Sequence, residues 1–267
     1  MRNAPEYASP TADELARVEA DLRTLNVPVT DYHADLDAFR LFADGAGFPS
    51  DYHGGIDGGV YREKILEHFI AWDLLGLQKD SRRLPYVDIA SAASPWAALL
   101  RERGVEAFSI DLEKNSRFSS LDYYLQGDAT ASPFGPASVG SASLQCAFEM
   151  FESDADVRLI AELARLLRPG GRAVISPLYM HTHACCYQSP EYFGRRHTDV
   201  GAKAYVRRNA SRVPSSRKYS AATLVSRVWS PAIANGLRPS LLVLRNAAAI
   251  GADVYLHFIL LLDNDER

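Results

Sequence analysis

The sequence predicts an α/β fold: a doubly wound, mostly parallel sheet with helices on both faces and a C-terminal antiparallel strand pair. Two observations point there. Between about residues 84 and 180, short apolar runs alternate with helical patterns, the signature of successive strand–helix–strand units. Further on, two apolar runs are separated only by Asn246 to Asp253, too short for a parallel crossover. At 267 residues the chain suits one α/β domain with elaborations.

Taken in order, the first signal is Thr11-Ala-Asp-Glu14, a capping box followed by Leu15, Val18, Leu22 and Leu25 at helical spacing. An acidic, loop-rich stretch follows, ending in Asp51-Tyr-His-Gly-Gly-Ile-Asp-Gly-Gly59, where glycines permit sharp turns. Tyr61 to Leu77 reads as an amphipathic helix with Ile65, Leu66, Phe69 and Ile70 inward. Pro85 to Ala90 is a strand. Ser94-Pro95 then starts a helix, serine capping and proline at the first position, which Gly104 ends. Ala107 to Asp111 and Ser141 to Phe148 are the next strands predicted. A helix capped by Ser153, with Asp156 three positions on, buries Ile160, Leu163, Ala164 and Leu167 until Pro169-Gly-Gly171 stops it. Arg172 to Tyr179 is a strand, Tyr219 to Asn235 a helix ended by Gly236, and Leu241 to Arg245 and Val254 to Leu262 are the closing strands. This divides the single domain into an N-terminal helical extension (1–80), a ligand-binding core (81–180), a basic insert or cap (181–218) and a C-terminal helix with antiparallel strands (219–267).

Composition narrows the function classes. A net charge of −4 gives no overall attraction to nucleic acid or to a membrane. The first residues lack the apolar run of a signal peptide, no run approaches the roughly 20 residues of a membrane span, and three cysteines make no disulfide framework. A cytoplasmic location is the expectation, and self-association stays open. The basic residues are unevenly placed. Arg195, Arg196, Lys203, Arg207, Arg208, Arg212, Arg217 and Lys218 oppose Glu191 and Asp199, so segment 181–218 has a net charge of +6 and the rest of the chain −10.

In a doubly wound sheet, ligands bind beyond the carboxyl ends of the strands. Asp88 and the small residues Ser91 to Ser94 fall at the first such end. Asp111 falls 23 positions later, near where an acid that holds ribose hydroxyls is expected. Gly127-Asp128 adds a third polar point, suited to an adenine amino group. In their order, Val87-Asp-Ile-Ala-Ser-Ala-Ala-Ser94, Ser109-Ile-Asp-Leu-Glu113, Gln126-Gly-Asp-Ala129, Leu144 to Glu152 and Leu166-Leu-Arg-Pro-Gly-Gly171 resemble the motifs of class I, Rossmann-like methyltransferases that use S-adenosylmethionine (SAM). The resemblance implies SAM as cofactor, held by Asp88, Ala90, Ser91, Ala92, Asp111, Leu112, Gly127, Asp128, Ala129 and Cys146. The chain departs from the family in its first loop, where Ala90, Ala92 and Ser94 replace glycines.

The resemblance leaves the acceptor open. His181, His183 and Glu149 are the candidate catalytic bases, near the ends of the strands that face the transfer site. A basic cap with interleaved Tyr187, Tyr192, Phe193 and Tyr205 points to a small anionic or sugar-linked acceptor, methylated on oxygen. The same charges would equally serve an insert that pairs with the acidic N-terminal region or with a partner subunit. His-x-His beside paired cysteines raises zinc, but the spacing is poor for a structural site, so no metal is assigned. Magnesium at Glu149 and Asp154 stays open. A SAM-binding scaffold without catalysis is the alternative, supported by the altered loop. A nicotinamide oxidoreductase lacks its glycine fingerprint, and nucleic-acid methylation lacks the Asn/Asp-Pro-Pro-Tyr/Phe motif.

Overall fold

The capping box forms as its residues require. In a computed structural model, which describes residues 4–58, 60–78, 85–113, 115–118, 120–196 and 198–265, the Glu14 N–H donates to Thr11 Oγ1 at 3.3 Å. The Thr11 N–H donates to Glu14 Oε2 at 2.8 Å, opening α1 (Ala12–Thr24), which buries Val18 and Leu22. Gly59 and Leu84 lie outside the described residues.

The acidic stretch read as loop holds two elements. These are β1 (Val29–Tyr32) and α2 (Leu36–Gly45), the latter capped by Asp35, whose carboxylate accepts from the N–H groups of Asp37 and Ala38. The four-residue β1 pairs only with Leu241 to Leu244, more than 200 positions away, so nothing local announces it. Next come α3 (Tyr61–Leu74), β2 (Tyr86–Ile89), α4 (Trp96–Glu102), β3 (Ala107–Asp111) and β4 (Tyr124–Gln126). Ser94 Oγ accepts from the Trp96 N–H at 3.2 Å, so it serves the first turn of α4 although the helix begins one residue later than expected.

Three expectations fail for tertiary reasons. β5 (Val139–Gln145) ends before Phe148, and 148–150 form a short 3-10 turn that carries Glu149 off the strand. α5 (Ala155–Leu166) is not capped by Ser153, which sits at φ +56°. Asp156 instead turns inward to meet Arg217 at 2.9 Å, Arg227 Nε at 2.9 Å and the Tyr219 hydroxyl at 2.7 Å. Pro169-Gly-Gly171 does not follow a helix end by way of a loop; it lies inside β6 (Leu167–Ser176), where pairing with β5 shifts register. A Cβ on Gly171 would lie 3.0 Å from the Gly140 carbonyl oxygen, so the bulge admits no side chain there.

The insert is folded rather than loose: β7 (Cys185–Gln188), β8 (Lys203–Val206) and β9 (Ser216–Lys218) form a small sheet in the order β8-β7-β9. α6 (Ala221–Leu224) and α7 (Ser230–Ala234) flank a π turn at Val225–Trp229. The chain closes with β10 (Arg238–Leu244), α8 (Ala247–Ile250) and β11 (Phe258–Asn264).

The main sheet runs β1-β10-β11-β6-β5-β2-β3-β4, with β11 antiparallel to both neighbours and the other pairings parallel. In β6, Ala173 and Ile175 pack with α1, α5 and α6, while Val174 packs with α2 and α3. This is the two-sided burial of a doubly wound sheet. β2 is followed outward by β3 and β4, and the chain then returns to place β5 and β6 on the other side. The order therefore reverses between β2 and β5, the point where such sheets bind ligands.

Candidate active site

Two adjoining cavities open at that reversal. One, of about 560 Å³, is lined by Ala90, Ala92, Asp111, Leu112, Gly127, Asp128, Ala129 and Cys146, with Ile110 and Met150 on its apolar walls. The other, a chamber of about 430 Å³, is lined by Asp88, Ala90, Ser91, Ala92, Cys146, Lys64 and Glu67, with Tyr52 and His53 over it. Ala90, Ala92 and Cys146 form the shared wall. The ten residues expected around the cofactor thus line one composite cleft.

The altered first loop keeps the backbone that glycine usually supplies. Ala90 and Ala92 have φ of +54° and +48°, and Cys146 on the same wall has +50°. Left-handed backbone costs a residue with a Cβ about 1–2 kcal/mol, so three strained positions meet at one wall. Surrounding bonds hold them there. The Ala92 N–H donates to Asp111 Oδ2 at 2.8 Å, and its carbonyl accepts from the Tyr124 hydroxyl. Alanine supplies the turn with the smallest side chain that still has a Cβ.

The acids differ in what they have left to offer. Asp111 ends β3 on the cleft, and its Oδ1 accepts from the Glu113 N–H at 3.0 Å. Asp128 spends Oδ1 on the Thr130 N–H and hydroxyl, both at 2.8 Å, and Oδ2 lies 3.7 Å from Arg158. These bonds hold its carboxyl below the usual range, the Thr130 N–H contributing more than Arg158, against a desolvation that alone would raise it. Asp88 is buried, which pushes its carboxyl up to about 8, with a smaller push from the Asp111 charge. Asp88 Oδ2 and Ser91 Oγ are buried without a hydrogen-bond partner at the chamber wall. Such orphaned groups fit a polar ligand end, as the acid at Asp111 and the apolar walls fit a nucleoside.

The candidate bases separate. Glu149 lies beside the cleft, its Oε1 3.4 Å from Cys146 Sγ and its Oε2 buried without a partner. His181 and His183 line neither cavity. They pack against each other with ring centroids 4.3 Å apart, near Tyr7 and Tyr205, and burial lowers the pKa of each. Glu149 and Asp154 belong to no cluster of three or more ligating side chains among the described residues. Asp154 instead meets Arg158 at 3.2 Å.

Sequence reasoning missed a buried polar group beside the chamber. Lys64 Nζ donates to Glu67 Oε1 at 2.7 Å, and Glu67 Oε2 has no partner. Burial pushes the Glu67 carboxyl up to about 8 despite the Lys64 charge. The Tyr179 hydroxyl lies 3.4 Å from Cys146 Sγ, and Lys218 Nζ sits 3.6 Å from the Tyr179 ring centroid and 4.9 Å from that of Tyr187. Full burial lowers the Lys218 amine to about 8. One signal was available: Glu63 and Glu67, four positions apart, put charges on the same face of the helix as the core residues Leu66 and Ile70.

Part of the insert's positive charge is spent on ion pairs, mostly with acids outside it. Arg217 meets Asp156 at 2.9 Å and Asp199 at 2.6 Å, and Arg208 meets Glu6 at 2.8 Å. Arg207 lies over Tyr187, while Arg196 stacks on Tyr192 and reaches the larger cavity.

A mostly parallel sheet with its order reversed between β2 and β5, a strained small-residue turn after β2 and an acid at the end of β3 place the cleft where doubly wound sheets bind ligands. Residues 87–175 match the family model described as a methyltransferase domain, and SAM is the cofactor that this match implies. No curated protein sequence matches it. The fold is similar to that of 1,6-didemethyltoxoflavin-N1-methyltransferase from Burkholderia thailandensis, with TM-score 0.52 and 15% identity over 98% of this chain and 94% of that one. It is also similar to geranyl diphosphate C-methyltransferase from Streptomyces coelicolor A3(2), with TM-score 0.50 and 15% identity over 97% and 100% of the two chains. Both were crystallised with S-adenosylhomocysteine. Among the described residues, no helix is long and apolar enough to cross a membrane.

Proposed function

We propose that the chain methylates a hydroxyl oxygen of a small anionic or sugar-linked molecule held in the chamber beside the cofactor cleft. Glu67 carries this reading. Its Oε1 is tied to Lys64 at 2.7 Å, its Oε2 is buried with no partner, and the residue lines the chamber. Bound SAM supplies an electrophilic methyl group. A hydroxyl acceptor needs a base as well as alignment, and Glu67 Oε2 has the unspent capacity to accept that proton. Lys64 fixes the carboxylate's orientation. Asp111 holds the cofactor ribose, and the walls from Ala90 to Ser94 hold its other end. Arg117 at the chamber and Arg196 at the larger cavity are the cations suited to an acidic group on the acceptor. The chamber's volume of about 430 Å³ suits a small molecule. Three free cysteines, Cys146, Cys185 and Cys186, suit a reducing, cytoplasmic setting.

The test is transfer of labelled methyl from SAM to a panel of small hydroxyl compounds, neutral and anionic. Glu67→Gln should lower kcat by roughly 10²–10⁴ and leave the affinity for S-adenosylhomocysteine unchanged. Wild-type turnover in that variant removes Glu67 as the base. Transfer confined to nitrogen, or to macromolecules, overturns the acceptor class.

A further inference from the structure

Away from the cleft, we propose that His181, His183 and Cys185 bind one divalent cation of the zinc class. The three residues fall within five positions, two on the bent segment that leads into β7 and the third at its first residue. Each offers one ligand atom, and these atoms all lie within 4.8 Å of one another. Zinc bonds of about 2.0–2.3 Å in tetrahedral array set ligand atoms about 3.3–3.8 Å apart. Small side-chain rotations close that difference without moving the strand. Cys186 points the other way, toward Thr198 at 3.7 Å, and takes no part.

The surroundings suit ligation. Thr182 Oγ1 lies 3.1 Å from His181 Nδ1 and 3.3 Å from His183 Nδ1. One hydroxyl thus engages the same nitrogen of both rings, an outer contact that orients imidazoles, and a metal at His183 Nε2 would replace that atom's bond to the Tyr205 hydroxyl. His183 Nε2 lies 2.9 Å from the Tyr205 hydroxyl, placing a phenol oxygen beside the cation position. Two imidazoles and a thiolate favour zinc over magnesium or calcium, which prefer oxygen. A separate cavity of about 390 Å³, lined by Ala184, Cys185 and Lys218, gives access to the sulfur. None of the three ligands lines the cofactor cleft or the chamber, so this site is distinct from methyl transfer.

The full-length protein is titrated with Zn²⁺ against a chromophoric chelator, and with Co²⁺ as a spectroscopic probe. One zinc per chain is expected, and Co²⁺ should give intense four-coordinate visible bands with a thiolate charge-transfer band. Cys185→Ser should abolish that band, His183→Ala should weaken zinc binding about tenfold or more, and Cys186→Ser should change neither. A pale six-coordinate Co²⁺ spectrum without a thiolate band in the wild type overturns the site. Equal binding by the Cys185→Ser and Cys186→Ser variants also overturns it. Circular dichroism checks that each variant folds, and if Cys185→Ser does not, the wild-type Co²⁺ spectrum decides alone.

Discussion

Replacing Ala90 and Ala92 by glycine should make this protein more stable. Both residues occupy left-handed backbone, at φ +54° and +48°, where a Cβ costs about 1–2 kcal/mol. Glycine removes that cost but gives the unfolded chain more freedom, which offsets about 0.4–1 kcal/mol. Each single change therefore gains up to about 1.6 kcal/mol, with a midpoint of about 0.8, and the pair somewhat less than the sum, because neighbours on one turn couple. The native turn should persist, since Asp111 Oδ2 still accepts from the residue-92 N–H at 2.8 Å. A stabilisation of about 1 kcal/mol raises Tm by roughly 2–4 °C in a chain of this size. Ala137→Gly is the control: Ala137 has φ +53°, donates to the Arg165 carbonyl at 2.9 Å and lines neither cavity. It should raise Tm similarly and leave S-adenosylhomocysteine affinity untouched. Scanning calorimetry and isothermal titration measure both quantities. A lower Tm for Ala90→Gly and Ala92→Gly alongside a higher one for Ala137→Gly would refute strain at the cofactor turn.

Asp111→Ala should weaken S-adenosylhomocysteine binding by about 1.5–3 kcal/mol, the worth of a hydrogen bond to a charged group, and unchanged titration isotherms would remove its ribose role. Asp88, raised by burial to about 8 in the fold against about 3.9 unfolded, contributes stability that is fully present below about pH 4 and lost as pH rises through 8. Asp88→Asn should then match the wild-type Tm near about pH 4 and exceed it near about pH 9; parallel Tm curves across that range count against the buried acid. Asp156→Ala leaves the buried Arg217 without its 2.9 Å partner and should cost about 3–5 kcal/mol in urea unfolding; a loss below about 1 kcal/mol contradicts that account. Because His181 and His183 line neither cavity, their double replacement by alanine should leave kcat near wild type; a large fall returns them to the mechanism.

Local chemistry made much of the core legible. Thr11 and Glu14 announce α1 because both partners of the capping box lie within one turn. Asp88 and Asp111 are readable as strand-end acids because strand periodicity and a fixed spacing place them. Where a residue's role depends on something distant, reading fails. β1 was hidden because its partner is β10, and Asp156 was misread as a capping residue because Arg217, 61 positions on, outcompetes the local bond. The charge surplus at 181–218 was countable, but only the folded insert shows that Asp156 and Glu6, both outside it, pair with Arg217 and Arg208.

The sequence by itself determined the doubly wound class, the antiparallel close and the order of the strand-end residues that line the cleft, since periodicity, connection length and spacing are properties of neighbouring positions. Tertiary structure alone decided that Ala90 and Ala92 hold the left-handed turn, because only the surrounding bonds to Asp111 and Tyr124 fix a backbone conformation alanine does not choose. It also decided that Lys64 and Glu67 meet the same cleft as Cys146, and that His181 and His183 do not. Burial and partners arise only when the chain closes on itself, and the chemistry of these side chains follows from them.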